Sequence, residues 1–294
     1  MLRNSILVFV VASIFVSPFG ATNAANRRLE TAGVLLGPAG SSAAHGSTSD
    51  NDDYTNLSIG SDPFGPPGSL TTKPASVIFK NTVQNTGTRD DAFMISVPSR
   101  PTGFAVEIST DYGERWTVIE PWTANVIVPV AYRSSVTFLV RITAPAGLPT
   151  LSAFDTVVRA TSTVSSSVFN QTIDRIYTGF LTLEHSVRLV NSTGSRVSDA
   201  VAGSELEFMI TYTNVSTGGG VGCAPLTAQN FVISANGNAP PHHWAATTEH
   251  VVGASDSRGG LIVGDRPGSS SLTNMVMSLG AGQSGVFKFR RRIR

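Results

Sequence analysis

The amino-acid sequence predicts an all-β chain, two tandem sandwiches behind a cleavable leader and a flexible stretch. Three observations carry that expectation: apolar residues recur every second position from about Ser76 onward, each patterned run is short and closed by turn residues, and no stretch beyond the leader keeps a helical period. The 294 residues leave room for two cores of ordinary size. With 41% hydrophobic and 14% charged residues, the chain is too apolar for disorder and too poor in charge for long exposed helices.

Residues 1–24 read as a signal peptide. Arg3 gives a positive start, Ile6 to Val16 an apolar run, and Ser17 to Ala24 a small-residue stretch with Thr22 and Ala24 suited to cleavage after Ala24. The apolar run is well short of the roughly 20 residues that span a bilayer. No cysteine follows it to carry a lipid, and Arg290-Arg291-Arg292-Ile293-Arg294 is no apolar tail, so no membrane span is expected after cleavage. Removing Arg3 with the leader leaves 20 basic against 20 acidic residues. A neutral chain has no global field to draw it to nucleic acid or to an anionic membrane. Cys223 is alone, so no internal disulfide is expected and packing must hold the fold.

Residues 25–75 read as linker, since Gly, Ser, Thr, Pro, Ala and Asp dominate from Gly33 to Pro74. Within them Tyr54 to Ile59 is an edge-strand candidate, because Leu57 and Ile59 alternate with Ser58. The first module, residues 76–178, shows Phe104, Val106 and Ile108 on one face, then Val126, Val128 and Val130, then Val136, Phe138, Val140 and Ile142, then Phe154, Thr156 and Val158. In the second, residues 179–294, Leu181, Leu183, Val187 and Leu189 share one face with His185, opposite Thr182, Glu184, Ser186 and Arg188. The next run places Leu206, Phe208, Ile210 and Tyr212 inward and Glu205, Glu207, Thr211 and Thr213 outward. Leu272 to Leu279 and Val286 to Ile293, flanking Gly280 to Gly285, form a hairpin candidate. Seven or so short strands per hundred residues is the pattern of an immunoglobulin-like β-sandwich, so two such modules are expected in tandem.

Leu181 to Asn214 carries a strand LTLEHSV, a polar gap ending in Ala202-Gly203, and a strand ELEFMITYTN. This phrase resembles the bacterial conserved-repeat surface domain, catalogued as domain of unknown function eleven. Asn81 to Gly87 with Asp91-Ala92-Phe93 resembles the opening of other bacterial Ig-like modules. The resemblance implies an extracellular sandwich, often arrayed in tandem, with no enzymatic activity. The second module departs from the pattern at Ser216 to Gly220, at Cys223 and at Asn236-Gly237-Asn238.

Chemical motifs are scarce. Gly280 to Gly285 matches the dinucleotide-binding string in letters, but the alternating Val286-Phe287-Lys288-Phe289 follows where a helix N-terminus is required. Asp50, Asn51, Asp52 and Asp53 offer oxygen ligands of the calcium type, yet no EF-hand spacing follows, and a solvated acidic turn is the expectation. Cys223, His242, His243 and His250 lack the paired spacings of a zinc site. No metal and no cofactor is therefore expected. Nor is there a Gly-x-Ser-x-Gly elbow or a His-Glu-x-x-His run, which leaves no catalytic residue to name. Trp116 alternates with Val118 and is expected in the core, while Trp122 and Trp244 are freer and form the candidate platform for a sugar ring.

At the C-terminal strand, Phe287, Phe289, Arg291 and Ile293 share the inward face, and Arg291 is expected at the sandwich rim because burying an unpaired guanidinium is costly. Arg290, Arg292 and Arg294 then gather positive charge, as a guard against strand pairing or a contact for acidic polymer. The functional expectation is a secreted or cell-surface structural or adhesive protein without catalysis, its partners other surface proteins or polysaccharide. The alternative is a carbohydrate-binding accessory protein.

Overall fold

The computed structural model describes residues 30–39, 54–58, 70–120, 126–217, 223–240 and 243–294. The leader, the acidic positions Asp50, Asp52 and Asp53, Trp122 and His242 lie outside them. Thr31 to Arg294 form one compact unit, and its described residues are all-β but for a 3-10 turn at Trp244–Ala246, with four sheets around two hydrophobic cores.

The first sandwich uses β1 (Val34–Pro38), β2 (Tyr54–Ser58), β3 (Ala75–Asn85), β4 (Asp91–Ser99), β5 (Ala105–Ser109), β6 (Thr117–Val118), β7 (Val126–Val130), β8 (Ser135–Ala144), β9 (Ala153–Ser162) and β10 (Phe169–Tyr177). One sheet runs β1-β3-β8-β5-β6 and the facing sheet β2-β10-β9-β4-β7. The alternating residues meet between them: Phe79, Phe93, Val106, Ile108, Phe138, Val140, Ile142, Val158 and Ala160 are all buried. The stretch expected to be linker supplies two of these strands, β2 at the edge-strand candidate and β1 where no strand was expected. Val34 and Leu36 enter the core, and a Cβ on Gly33 would lie 2.6 Å from Thr86 Oγ1, so the glycine lets the chain approach β3 closely. Three apolar residues flanked by glycines are too few to stand out from a Gly-rich composition. Trp116 is also placed otherwise than expected. Ile119 takes the core position, Val118 is exposed, and Trp116 lies half-buried against the Arg141 guanidinium, 4.1 Å from its ring centre.

The second sandwich uses β11 (Leu181–Val190), β12 (Glu205–Asn214), β13 (Ala228–Asn236), β14 (Thr248–Asp256), β15 (Leu261–Val263), β16 (Ser271–Leu279) and β17 (Ser284–Ile293). Its sheets are β11-β12-β17-β14 and β13-β16-β15. The expected hairpin is absent: β16 and β17 belong to opposite sheets, and Gly280 to Gln283 carries the chain across between them. β14 had no sequence signal because its inward residues are Thr248 and His250 rather than apolar ones.

The two sandwiches share one register. Asn85 ends β3 as Asn214 ends β12; Val34 faces Asn85 as Leu181 faces Asn214; Ile142 pairs with Val77 as Arg291 pairs with Leu206. Each asparagine is fully buried and donates from Nδ2 to the last carbonyl of a strand in the facing sheet, Val130 at 3.0 Å and Leu279 at 2.9 Å. Its backbone N–H donates to the fourth residue of the turn that follows, Ser134 or Gln283, at 3.0 Å in both. The asparagines thus tie sheet to sheet at the same corner of each sandwich. Large and small residues exchange in compensation: Val83 facing Val136 in the first becomes Tyr212 facing Gly285 in the second, where a Cβ on Gly285 would fall 2.2 Å from the tyrosine ring.

The sandwiches meet through β2, which pairs parallel with β10 and bridges Thr55 to Ala224 on its other side. Asn56, buried between them, donates from Nδ2 to Thr217 O at 3.2 Å, and Tyr177 Oη accepts from the Thr217 backbone N–H at 3.0 Å.

Candidate functional site

The shared register shows where the sandwiches differ. In the first, β4 pairs with β7 on one side and with β9 on the other. In the second, β13 holds the place of β4, since Ala228 faces Leu279 as Asp91 faces Val130. Among the described residues no strand pairs with its other edge. Among those residues β9 and β10 have no equivalent in the second sandwich.

A groove of about 440 Å³ opens at that edge, between β13 and the β11–β12 face. Leu183, Phe208, Ile210, Val232, Trp244 and Phe289 are its principal apolar lining. Phe208 and Phe289 stack in parallel with ring centres 4.8 Å apart, and Trp244 packs on both at 5.6 and 5.9 Å. Gly237 makes room for the indole, because a Cβ there would lie 2.4 Å from it. The rim residues were expected inside. Leu183 is 52% exposed although Leu36, its equivalent, is fully buried against a sheet containing β9 and β10. Val187 is exposed as well. Alternation identified the apolar face of β11 correctly; what it does not show is whether a second layer covers that face.

One end of the groove is polar. Arg291 replaces Ile142 and is 2% exposed, so it enters the core instead of the rim expected of it. Its guanidinium donates to Thr248 Oγ1 at 2.6 Å, Thr248 O at 2.9 Å and Ser269 O at 2.8 Å, and lies 4.2 Å from the Trp244 ring centre. Three acceptors and an aromatic face replace the carboxylate such burial ordinarily requires. Loss of solvation, with Arg294 adding repulsion, brings its pKa down to about 10. Beside it His250 meets Asp265 at 2.7 Å. Burial alone would raise the Asp265 pKa, but hydrogen bonds from His250, Ala254 and Gly253 hold it below the usual carboxylate range. The Thr248 hydroxyl is not free for nucleophilic work, since it accepts from Arg291 and donates to Trp244 O.

The other arginines singled out by sequence are paired. Arg290 meets Glu207 at 3.1 Å, Arg292 meets Glu205 at 3.0 Å, and Arg294 meets Glu249 at 3.3 Å. Glu205 and Glu207 point outward as expected, yet both are buried beneath these arginines and Arg188. Among the described residues no group of His, Cys, Asp and Glu is placed to hold a metal ion, and no helix is long and apolar enough to cross a membrane. Cys223 is half-buried at the junction, with Asn56 Nδ2 at 3.9 Å.

No protein-family profile and no curated protein matches the chain. Solved structures similar to it include the N-terminal domain of PorA, at 10% identity over 50% of this chain and 98% of that one, TM-score 0.33. The C-terminal domain of the Streptococcus agalactiae AgI/II polypeptide BspA is similar at 10% identity over 77% and 88%, TM-score 0.33. The secreted serine protease VesC of Vibrio cholerae is similar at 8% identity over 79% and 48%, TM-score 0.25.

Proposed function

We propose that the chain is a non-catalytic protein of the cell surface or extracellular space that works by contact, with the second sandwich carrying the contact site. The open apolar groove beside β13 carries this reading, because half-exposed Leu183 and Val232 flanking stacked aromatics are a surface that a partner would cover. Export is supported by the leader-like residues 1–24. The resemblance of residues 181–214 to the conserved-repeat surface domain points the same way. A polysaccharide site wants an exposed tryptophan beside Asp or Asn in a shallow groove. Trp244 instead has Arg291 against its ring and Phe208 and Phe289 beside it, in a mainly apolar setting that offers a sugar few hydrogen bonds. The test is to follow tagged full-length protein in its producing cell. The reading expects wild type on the outside and a Val232→Lys variant, folded but released to the medium. Retention of both inside the cell, or equal surface retention of both, contradicts it.

A further inference from the structure

Among the described residues the first sandwich contains a strand that the second lacks, so it is a template for what the groove accepts. β9 lies antiparallel to β4, with Ala160 opposite Ile95 and Ser162 opposite Phe93, and sends Thr156, Val158 and Ala160 into the core, all buried. At the open edge of β13, Phe231 and Ile233 turn into the second core as Phe93 and Ile95 turn into the first. We propose that the second sandwich binds an extended segment of a partner protein, which joins β13 antiparallel in the place β9 holds beside β4. Its inward side chains are small and β-branched apolar residues at alternate positions. This rests on the contact reading above and names the partner's chemistry.

Two physical arguments select that occupant. An edge strand offers backbone donors and acceptors that another strand satisfies, while alternate side chains fill the groove beneath. A folded second copy does not do this through its own β13, because Ile233, with Phe231 and Ala235 beside it, is already committed to its own core. The donor must be a segment with both faces free. It would continue the β13-β16-β15 sheet in the way β9 continues β4-β7.

A peptide with the β9 sequence, Ala153 to Ser162, is the probe, titrated into the full-length mature chain by calorimetry. The proposal expects binding at roughly micromolar dissociation constant, weakened at least about tenfold by Leu183→Lys in the protein or by Asp in place of Val158 in the peptide. Leu183 is half exposed, so its variant keeps the fold, which circular dichroism verifies. Absence of binding to wild type overturns the proposal, as does equal binding by both peptides. A dimer in sedimentation whose β13 amides are protected only on association also overturns it, by naming a second copy as occupant. If Val232→Lys abolishes surface retention while the peptide fails to bind, the strand proposal falls and the contact reading stands.

Discussion

Asp174 is the most perturbed carboxylate of the first core. It is fully buried and receives two hydrogen bonds from Asn81 Nδ2, at 2.9 and 3.2 Å. Loss of solvation outweighs those bonds and raises its pKa to about 7. The unfolded chain gives up this proton near 3.8, so between the two values the folded state holds the extra proton. Stability from this group is therefore full below about pH 4 and falls as pH climbs through 7. We expect Asp174→Asn to flatten that slope and to stabilise the protein by a few kcal/mol at pH 8, read from urea midpoints across pH. A slope unchanged by the substitution would place the titration elsewhere. Asn214 tests the corner shared by both sandwiches. Asn214→Ala strips the Leu226 and Leu279 carbonyls of a donor and should cost about 2 to 3 kcal/mol, and Asn85→Ala a similar amount. Sequence placed Asn214 at the end of a strand as part of a family-like phrase. Three of the four Asn-x-Ser/Thr asparagines, Asn56, Asn170 and Asn214, are buried hydrogen-bonding residues, a role that their surroundings in sequence do not reveal.

At the scale of elements, legibility followed how strictly each strand alternates. β5, β8, β12 and the start of β17 have apolar residues at every second position, and their inward faces are those expected. β14 and the end of β17 replace Val106 and Ile142 by His250 and Arg291, a polar pair inside a core, and alternation has no reading for that. The same exchanges, with Val83 and Val136 becoming Tyr212 and Gly285, hide the internal repeat from the sequence while the pairing register keeps it. Gly237 is the element-scale test of the groove. Gly237→Ala forces the indole of Trp244 off the Phe208–Phe289 stack, since 2.4 Å is well inside contact distance. We expect a loss of about 1 to 3 kcal/mol in the second sandwich and a shifted tryptophan emission. Wild-type emission and stability in the variant would mean the indole does not rest there.

For the whole molecule, the junction and the open edge have opposite characters. The junction is closed by polar contacts: Arg175 binds Asp155 and also reaches Thr217 Oγ1 at 2.9 Å, next to Tyr177. Tyr177→Phe should cost about 1 kcal/mol and speed amide exchange at Asn56 and Thr217 while leaving the β4 and β17 cores as they are. The open edge has no such closure, and no sequence pattern announced it, because a missing strand leaves nothing to read. The most direct measurement is hydrogen exchange on the isolated protein, comparing β4 with β13 amide by amide. The account predicts that Phe93 to Ile95 are protected on both edges, by β7 and β9, whereas alternate amides from Phe231 to Ala235 exchange at nearly unprotected rates. Equal protection along both strands would contradict it, since the β13 edge would then already be paired.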